Sequence, residues 1–398
     1  MISNNVYIVS GIRTPIGNFG GALRDYSAPE LGSMLIKNLI NKYNLQKVTI
    51  DGVVLGNVLQ SGIGQNPARQ AAIGAGLSFN TPCVTINKVC GSALKAIDIA
   101  FRNLVSGYGK LYIAGGMESM SNSPYLLKCA RWGYKLGNSE IIDEMILDGL
   151  WCPYNNLHMG ELTDRMAKEF AISRHMQDEF AFESHKKALS AIENKRFINE
   201  IIPIDIKDKR GNVISLFDTD EHPRIDATIE KLSLLKSAFT KDGTVTAGNS
   251  SSISDGAAIV LLCTEDKMIQ LGLTPMAQIQ EITEAGVKPE YFGIAPVSSV
   301  QKALDNLGLK IDNIELAEFN EAFAAQSLYV IKNLNINKNI VNVNGGAIAL
   351  GHPIGASGTR IVVTLLHEMQ KKQSGLGLAS LCIGSGESIT IILKNFKH

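Results

Sequence analysis

Short runs of apolar residues alternate along the chain with longer stretches in which apolar residues recur at helical spacing. Short apolar runs are typical of buried strands, and apolar residues three and four positions apart are typical of helices that pack on one face. The pattern predicts strands at residues 6–9, 53–55, 83–86, 111–114, 257–263, 279–282, 316–319, 341–343, 377–382 and 389–393. It predicts helices at residues 28–41, 67–74, 91–106, 297–307, 322–334 and 357–370. This alternation favours an α/β fold, with a sheet covered by helices on both faces.

The alternation stops between about residues 119 and 248. Gly, Pro and Asn breaks are followed there by a charged helical stretch at residues 161–195 and a strand at residues 201–206. We interpret this segment as a loop domain inserted into the first of two similar halves. The predicted domains are therefore residues 1–270, which include the insertion, and residues 271–398.

Composition excludes several classes of function. Apolar residues make up 45% of the 398 residues, and Lys+Arg and Asp+Glu are equal at 38 each. A balanced charge argues against binding to nucleic acid or to an anionic membrane surface, and no apolar run is long enough to span a bilayer. The N-terminus has no basic start followed by an apolar run, so we expect no signal peptide. The six cysteines show no CxxC spacing, which argues against a zinc ribbon and favours free thiols in the cytoplasm.

The first candidate for chemistry is Cys90, in the sequence NKVCGSALK at residues 87–95. It lies between a predicted strand and a predicted helix. The helix dipole and free N–H groups at a helix N-terminus favour a thiolate, which is the nucleophilic form of cysteine. The alternative is a buried structural cysteine, because cysteine is among the residues most often buried.

The second candidate is His352, in a glycine-rich loop at residues 344–358 that precedes a predicted helix. So many glycines indicate unusual dihedral angles or a close approach to another group. A histidine in such a loop can deprotonate or orient a reacting group near neutral pH. The loop could instead bind phosphate at the helix N-terminus, but no Walker sequence occurs in the chain.

Cys382 and Asn320 both follow predicted strands. Cys382 could be delivered into a cleft by its strand or could simply end a buried strand. Asn320 could hold a water or an oxyanion, or could cap the next helix as an ordinary N-cap residue. His175 and His185 lie in the charged helical stretch and are expected to be solvated.

These blocks occur together, in this order and at this spacing, in thiolases. The chain resembles the thiolase family, of the acetyl-CoA acetyltransferase type, over essentially its whole length. The resemblance implies two similar βαβαβαββ halves packed as a five-layered α/β/α/β/α core with an inserted loop domain. It also implies substrates that are coenzyme A thioesters (acetyl-CoA, acetoacetyl-CoA and CoA), no permanent cofactor or metal, and a homodimer or homotetramer.

The resemblance assigns catalytic roles to five residues. Cys90 would take an acyl group from CoA, and His352 would activate Cys90 and help to hold the thioester oxygen. Cys382 would move the α-proton of acetyl-CoA. Asn320 would fix a water that binds the enolate oxygen, and the backbone N–H groups of Cys90 and Gly384 would form a second oxyanion hole.

The resemblance also assigns residues that bind CoA. His158 and Met159 would lie over the pantetheine and the thioester, and Ser251 would hydrogen-bond the pantetheine. Arg224 would lie near the adenine. The alternative for His158 and Arg224 is that they are ordinary surface residues. Met159 is typical of short-chain members and favours acetoacetyl-CoA as product.

The chain departs from the family pattern at several positions. After Cys382 the usual Gly-Gly-Gly, Met or Gln, and Gly is replaced by residues 384–388 with the sequence GSGES. Glu387 would raise the pKa of Cys382 if it faced the cleft. Ser252, Ser254 and Phe319 also replace usual residues. The alternatives are a degradative 3-ketoacyl-CoA thiolase that acts on longer chains and a non-catalytic acyl-CoA-binding protein. A ketoacyl synthase is disfavoured because it would lack a reactive Cys382.

Overall fold

The computed structural model of the protein describes residues 5–396. The expectations about the chain ends rest partly on residues 1–4 and 397–398, which lie outside the described residues. The described strands are β1 (Val6–Arg13), β2 (Gly17–Asn18), β3 (Gly52–Gly56), β4 (Cys83–Ile86), β5 (Leu111–Ser119), β6 (Tyr125–Leu126), β7 (Ile142–Asp143), β8 (Trp151–Cys152), β9 (Leu157–His158), β10 (Ile204–Lys207), β11 (Val213–Phe217), β12 (Ser254–Thr264), β13 (Ala277–Gly286), β14 (Leu316–Phe319), β15 (Leu376–Ile383) and β16 (Glu387–Asn395). The described α-helices are α1 (Ala28–Lys42), α2 (Pro67–Gly74), α3 (Ser92–Val105), α4 (Met159–Glu169), α5 (Arg174–Glu193), α6 (Ile229–Ser233), α7 (Glu265–Gln270), α8 (Ala295–Leu307), α9 (Ala324–Leu334), α10 (Ala347–Leu350) and α11 (Ser357–Lys372).

The long strands form two arrays that are joined edge to edge. The first array has the order β4-β3-β5-β12-β1, and the second has the order β14-β15-β16-β13. They meet where β1 pairs with β13 through only two residue pairs, Tyr7 with Gln278 and Ile8 with Ala277. In each array the pairings at the outer end are parallel, and the two pairings nearest the junction are antiparallel.

The strand predicted at residues 341–343 is wrong. Only Val341 reaches the second array, as a single parallel bridge to Ala317 at the outer edge of β14. That bridge occupies the position that β4 occupies in the first array. Each half therefore places its successive strands in the same order, which is the repeat expected from the resemblance.

The helices separate and cover the two arrays. One apolar cluster joins α3 and α11 to side chains of both arrays, so these two helices lie between them. A second cluster packs α1 and α2 on the outer face of the first array, and a third packs α8 and α9 on the outer face of the second. Most residues of α11 are buried, as a helix enclosed on both sides requires. The predicted five layers, α/β/α/β/α, are confirmed.

The segment between β5 and β12 differs in detail from the prediction. The helical stretch at residues 161–195 is two helices, because Ala171 has a left-handed φ of 52° and the hydroxyl of Ser173 caps the start of α5. The strand predicted at 201–206 begins at Ile204, and the helix predicted from residue 322 begins at Ala324. His185 was expected to be solvated but is 4% exposed. Across residues 5–396, no helix is both long and apolar enough to cross a membrane.

Candidate active site

The predicted site residues other than Asn320, which is buried behind the surface, line one cavity of about 600 Å³. It lies where the loops that follow β4, β14 and β15 meet the inserted segment. The sulfur-bearing side chains and the imidazole that the sequence singled out all face it, although they are separated by as much as 292 positions in the chain. Its lining includes Cys90, His158, Met159, Arg224, Ser251, His352, Cys382 and Gly384.

Cys90 lies immediately before α3, in a loop whose shape is fixed by polar contacts. Val89 has a left-handed φ of 48°, and its N–H donates to the side-chain oxygen of Asn87 over 2.9 Å. Burial raises the pKa of the Cys90 thiol to about 11, although the N–H groups of Gly384 and of Cys90 itself oppose the rise. The expectation that the helix terminus favours a thiolate is therefore wrong for the resting protein, since burial outweighs it. A nucleophilic role for Cys90 would therefore require a base.

His352 is held as a neutral imidazole. Its Nδ1 lies 2.5 Å from the hydroxyl oxygen of Ser357, and that hydroxyl donates its own hydrogen to the carbonyl of Pro353 over 2.9 Å. The hydroxyl must therefore accept from Nδ1–H, which leaves Nε2 with a free lone pair. Burial, assisted by the positive charge of Arg360, lowers the pKa of His352 to about 3. Nε2 is therefore unprotonated, which is the state that a proton acceptor needs.

The loop that carries His352 is anchored by Glu118, which sequence reasoning missed. One oxygen of this buried carboxylate accepts from Val58 N–H and Gly355 N–H, over 3.0 and 2.9 Å. The other accepts from the side-chain amide of Asn57 over 2.6 Å. Glu118 therefore ties the glycine loop to the end of β3. An acidic residue at the end of an apolar strand was the signal that could have identified it.

Asn320 contacts the unprotonated nitrogen of His352. Its side-chain Nδ2 lies 3.4 Å from the imidazole Nε2, and its backbone N–H donates to Ser380. The N-cap interpretation is wrong, because α9 begins at Ala324 with Phe323 at the N-cap position. The Oδ1 atom of Asn320 is buried and has no hydrogen-bond partner among the described residues. A buried oxygen of this kind is a site for an ordered water.

Cys382 ends β15 and is 1% exposed. Burial, and then the nearby sulfur of Cys90, raise the pKa of its thiol well above the usual value. Its neighbours are apolar: Met159, Phe292 and Ala322 belong to the same buried cluster. Two thiols that influence each other in this way titrate as a coupled pair.

Comparison with known proteins identifies the family. The family models "Thiolase, N-terminal domain" and "Thiolase, C-terminal domain" match residues 6–266 and 273–395. The chain belongs to the thiolase family. Its relatives include proteins named acetyl-CoA acetyltransferase from Pseudomonas aeruginosa (49% identical) and Escherichia coli (48% identical), each aligned over 98% of this chain and 99% of the relative. A protein named probable acetyl-CoA acyltransferase from Staphylococcus aureus is 47% identical over 98% of this chain and 99% of its own length.

A solved structure agrees with this assignment. The thiolase described here superposes on the crystal structure of the Bacillus anthracis acetyl-CoA acetyltransferase with a TM-score of 0.96, at 40% identity and over 99% of both chains. The predicted thiolase fold is thereby confirmed. Within residues 5–396 of this thiolase, no group of three or more His, Cys, Asp and Glu side chains is arranged to hold a metal ion.

The wall of the thiolase cavity opposite the thiols comes from the inserted segment. His158 caps α4 by accepting from Gly160 N–H over 3.0 Å, and its ring stacks on Phe239 at 4.7 Å with 21° between the planes. Ser251 is held by a hydrogen bond from its N–H to the carbonyl of Ala322. Arg224 is exposed at the cavity mouth. His158 is thus half-buried and structured rather than a free surface residue.

The departures from the thiolase pattern fall in different places. Phe319 packs in the outer apolar cluster with α8 and α9, away from the cavity. Ser254 supports the site directly, since its hydroxyl oxygen accepts from His352 N–H over 3.0 Å. Glu387 does not face Cys382; its carboxylate lies 2.8 Å from the ammonium group of Lys88.

Proposed function

We propose that this thiolase catalyses the reversible condensation of two molecules of acetyl-CoA to acetoacetyl-CoA and CoA. The observation that carries the proposal is the meeting of the partly buried Cys90 thiol, the buried Cys382 thiol and a neutral imidazole at one cavity. The names of its relatives support the choice of acetyl-CoA. The sites proposed for catalysis are Cys90, His352, Cys382, Asn320 and Gly384, and those proposed for CoA are His158, Met159, Ser251 and Arg224.

In the first half-reaction Cys90 is acylated. Nε2 of His352 accepts the proton of the Cys90 thiol, and the resulting thiolate attacks the carbonyl carbon of acetyl-CoA. The bond from that carbon to the CoA sulfur breaks, and the leaving CoA takes the proton of the Cys382 thiol, which becomes a thiolate. The N–H groups of Gly384 and Cys90, which lie against the Cys90 sulfur, would stabilise the negative oxygen of the intermediate.

In the second half-reaction a carbon–carbon bond forms. The thiolate of Cys382 removes an α-proton from a second acetyl-CoA, and the carbanion attacks the acetyl carbon on Cys90. The carbon–sulfur bond to Cys90 then breaks, and the released Cys90 thiolate takes back the proton held on Nε2 of His352. Because burial makes the Cys382 thiolate a strong base, it suits the weakly acidic C–H bond. A water on Asn320 would hold the enolate oxygen together with His352, and the kinetics would be ping-pong.

The apolar side chains packed next to Cys382 support a substrate with a short acyl chain. Met159, Phe292 and Ala322 form one apolar cluster with that thiol, and Phe323 packs against the cluster. A longer 3-ketoacyl chain would have to displace them. A degradative thiolase that acts on longer chains remains the second candidate, because it uses the same chemistry.

We also propose that the thiolase is a homodimer or homotetramer, with CoA thioesters as its only small-molecule partners and no permanent cofactor. An arm between β6 and β7 supports assembly, because Trp132 and Leu136 are 86% and 106% exposed there. Exposed apolar groups of this size are typical of protein interfaces. All six cysteines are free, and the mechanism needs two of them as thiols, so a reducing compartment such as the cytoplasm is proposed.

A thiolysis assay tests the proposed activity. Acetoacetyl-CoA and CoA are mixed with the protein, and loss of the enolate absorbance is followed beside a longer 3-ketoacyl-CoA. We expect turnover of acetoacetyl-CoA to exceed that of the longer substrate, and both Cys90→Ser and Cys382→Ser to abolish it. Binding of the substrates without turnover would instead identify a non-catalytic acyl-CoA-binding protein.

A further inference from the structure

An ion pair connects the loop that carries Cys90 to the first residue of β16, directly after the turn that follows Cys382. The ammonium group of Lys88 lies 2.8 Å from a carboxylate oxygen of Glu387. Lys88 is two residues before Cys90, and Glu387 is three residues after Gly384. The pair therefore joins the nucleophile loop to the turn that presents the Gly384 N–H.

The pair belongs to a larger and partly enclosed network. Lys88 also lies 3.3 Å from Glu284 of β13, and the other oxygen of Glu284 lies 2.9 Å from the ammonium group of Lys95. The Lys88 side chain is 19% exposed. An isolated surface pair contributes little, but an ammonium group enclosed between two carboxylates is screened less by solvent and is held in one position.

The turn after Cys382 has a strained backbone conformation that other contacts must stabilise. Ser385 has a left-handed φ of 74°, in which a residue with a side chain is strained. Gly386 has a φ of 90°, and a Cβ atom there would lie 2.5 Å from the carbonyl oxygen of Val287. The usual family sequence has glycine at position 385 and an uncharged Met or Gln at position 387. This chain thus has a side chain at the left-handed position 385 and a charge two residues later that is paired with Lys88.

The nucleophile loop is packed directly against the same turn. A Cβ atom on Gly91 would collide with the side chain of Ile383, so the two loops touch with no room between them. A displacement of the turn would therefore change the distance from the Gly384 N–H to the Cys90 sulfur.

We propose that Lys88 and Glu387 are positioning residues whose ion pair holds the Gly384 N–H against the Cys90 sulfur. The inference rests on the proposed function, because this N–H belongs to the oxyanion hole proposed for the acylation step. Neither side chain lines the cavity, so they act through the loops and do not touch the substrate.

Kinetics of full-length variants provide the first readout. We expect Glu387→Gln and Lys88→Gln each to lower kcat of thiolysis about tenfold, part of the effect of losing one oxyanion-hole donor, with little change in KM. The double variant Lys88→Glu/Glu387→Lys should recover most of the activity, since it restores an ion pair across the loops. Asp266→Asn is the matched control, because it breaks an ion pair of 2.5 Å to Lys110 on the surface and should leave kcat unchanged.

A second readout does not need turnover. The rate of Cys90 alkylation by iodoacetamide at pH 8.5, located by peptide mass spectrometry, reports the thiolate fraction. If the pair holds the Gly384 N–H in place, this N–H stabilises the Cys90 thiolate less well in Glu387→Gln. Alkylation of Cys90 then slows several-fold. If Glu387 acts only as a negative charge, its removal favours the thiolate and alkylation becomes faster.

The two readouts separate the possible failures. A wild-type protein without thiolysis would overturn the proposed function, yet slower alkylation of Glu387→Gln would still support the positioning role. Unchanged or faster alkylation, or a double variant no more active than either single variant in an active enzyme, would overturn the positioning role.

Discussion

The imidazole of His352 obtains its chemical state from two neighbours. Ser357 fixes the proton on Nδ1, and burial beside Arg360 lowers the pKa to about 3, so Nε2 is unprotonated at neutral pH. In the folded protein its protonation is therefore not the limiting ionisation near pH 7. We expect deprotonation of the Cys90 and Cys382 thiols, whose pKa values burial raises, to be the limiting ionisation.

Replacing Ser357 with alanine tests the role of that hydroxyl. Without an acceptor for Nδ1–H, the proton is no longer confined to that nitrogen, and the correct tautomer is populated less. We expect kcat/KM to fall about tenfold to a hundredfold, a fraction of what a general base contributes. Thr359→Val is the matched control on the same helix, because the Thr359 hydroxyl donates to Ala93 and does not touch His352. Equal effects of the two substitutions would contradict the assignment.

At the scale of single residues, the sequence predicted which residues are candidates for the site better than it predicted their protonation states. The residue types at Cys90, His352 and Cys382 and their places beside predicted elements could be seen in the chain. The pKa of Cys90 could not, because it depends on burial by segments that are distant in sequence.

Among the elements, those with a sharp local signal were predicted best. Helix α2 begins at Pro67 and strand β4 spans Cys83–Ile86, both as predicted, since proline and short apolar runs mark their ends. The predicted strand at residues 341–343 failed because edge pairing requires a partner, and only Val341 has one.

Helix α5 shows why its polar composition led to the wrong prediction that His185 is solvated. Its many charged residues suggested a solvated helix, yet one face packs against the second half of the chain and buries His185. Nδ1 of His185 accepts from Arg224 N–H over 3.2 Å. Burial, with the nearby charge of Arg224, lowers the pKa of His185 to about 4.

This burial predicts a pH dependence of stability. The unfolded chain, with a histidine pKa of about 6.5, binds more protons than the folded one between about pH 4 and 6.5. The stability due to neutral His185 is complete above pH 6.5 and is lost as the pH falls towards 4, by up to ~3 kcal/mol. When the pH is lowered from 7.5 to 4.5, the melting temperature of His185→Gln should fall by about 3 °C less than that of the wild-type protein. Thermal unfolding at both pH values measures this difference.

His175 provides the control on the same helix. Its side chain is 69% exposed, beside Glu179. His175→Gln should therefore lose as much thermal stability as wild type between the two pH values. If both variants behaved alike, the burial of His185 would not be the cause.

On the scale of the whole molecule, the site is made by contacts that no local pattern encodes. Glu118 from the first half holds the His352 loop from the second, and Lys88 reaches Glu387 across 299 positions. The resemblance supplied the fold and the site roles together. These supporting contacts could be found only in three dimensions, because they join loops whose spacing in the chain is unrelated to their distance in space.

The exposed arm between β6 and β7 predicts self-association. In Trp132→Ser/Leu136→Ser the apolar surface of the arm is reduced, so we expect a smaller assembly by size-exclusion chromatography with light scattering. The substitutions lie outside the cavity lining, so the fold should persist. An unchanged mass would show that the arm does not join subunits.

The central claim is that the thiol of Cys90 carries the acyl group and the thiol of Cys382 moves a proton. Incubation with radiolabelled acetyl-CoA, followed by acid quenching and peptide mapping, tests it most directly. The account predicts one acetyl group on the peptide that contains Cys90, none in Cys90→Ser, and retained label in Cys382→Ser. Label on Cys382 in the wild-type protein, or its loss in Cys382→Ser with Cys90 intact, would contradict it.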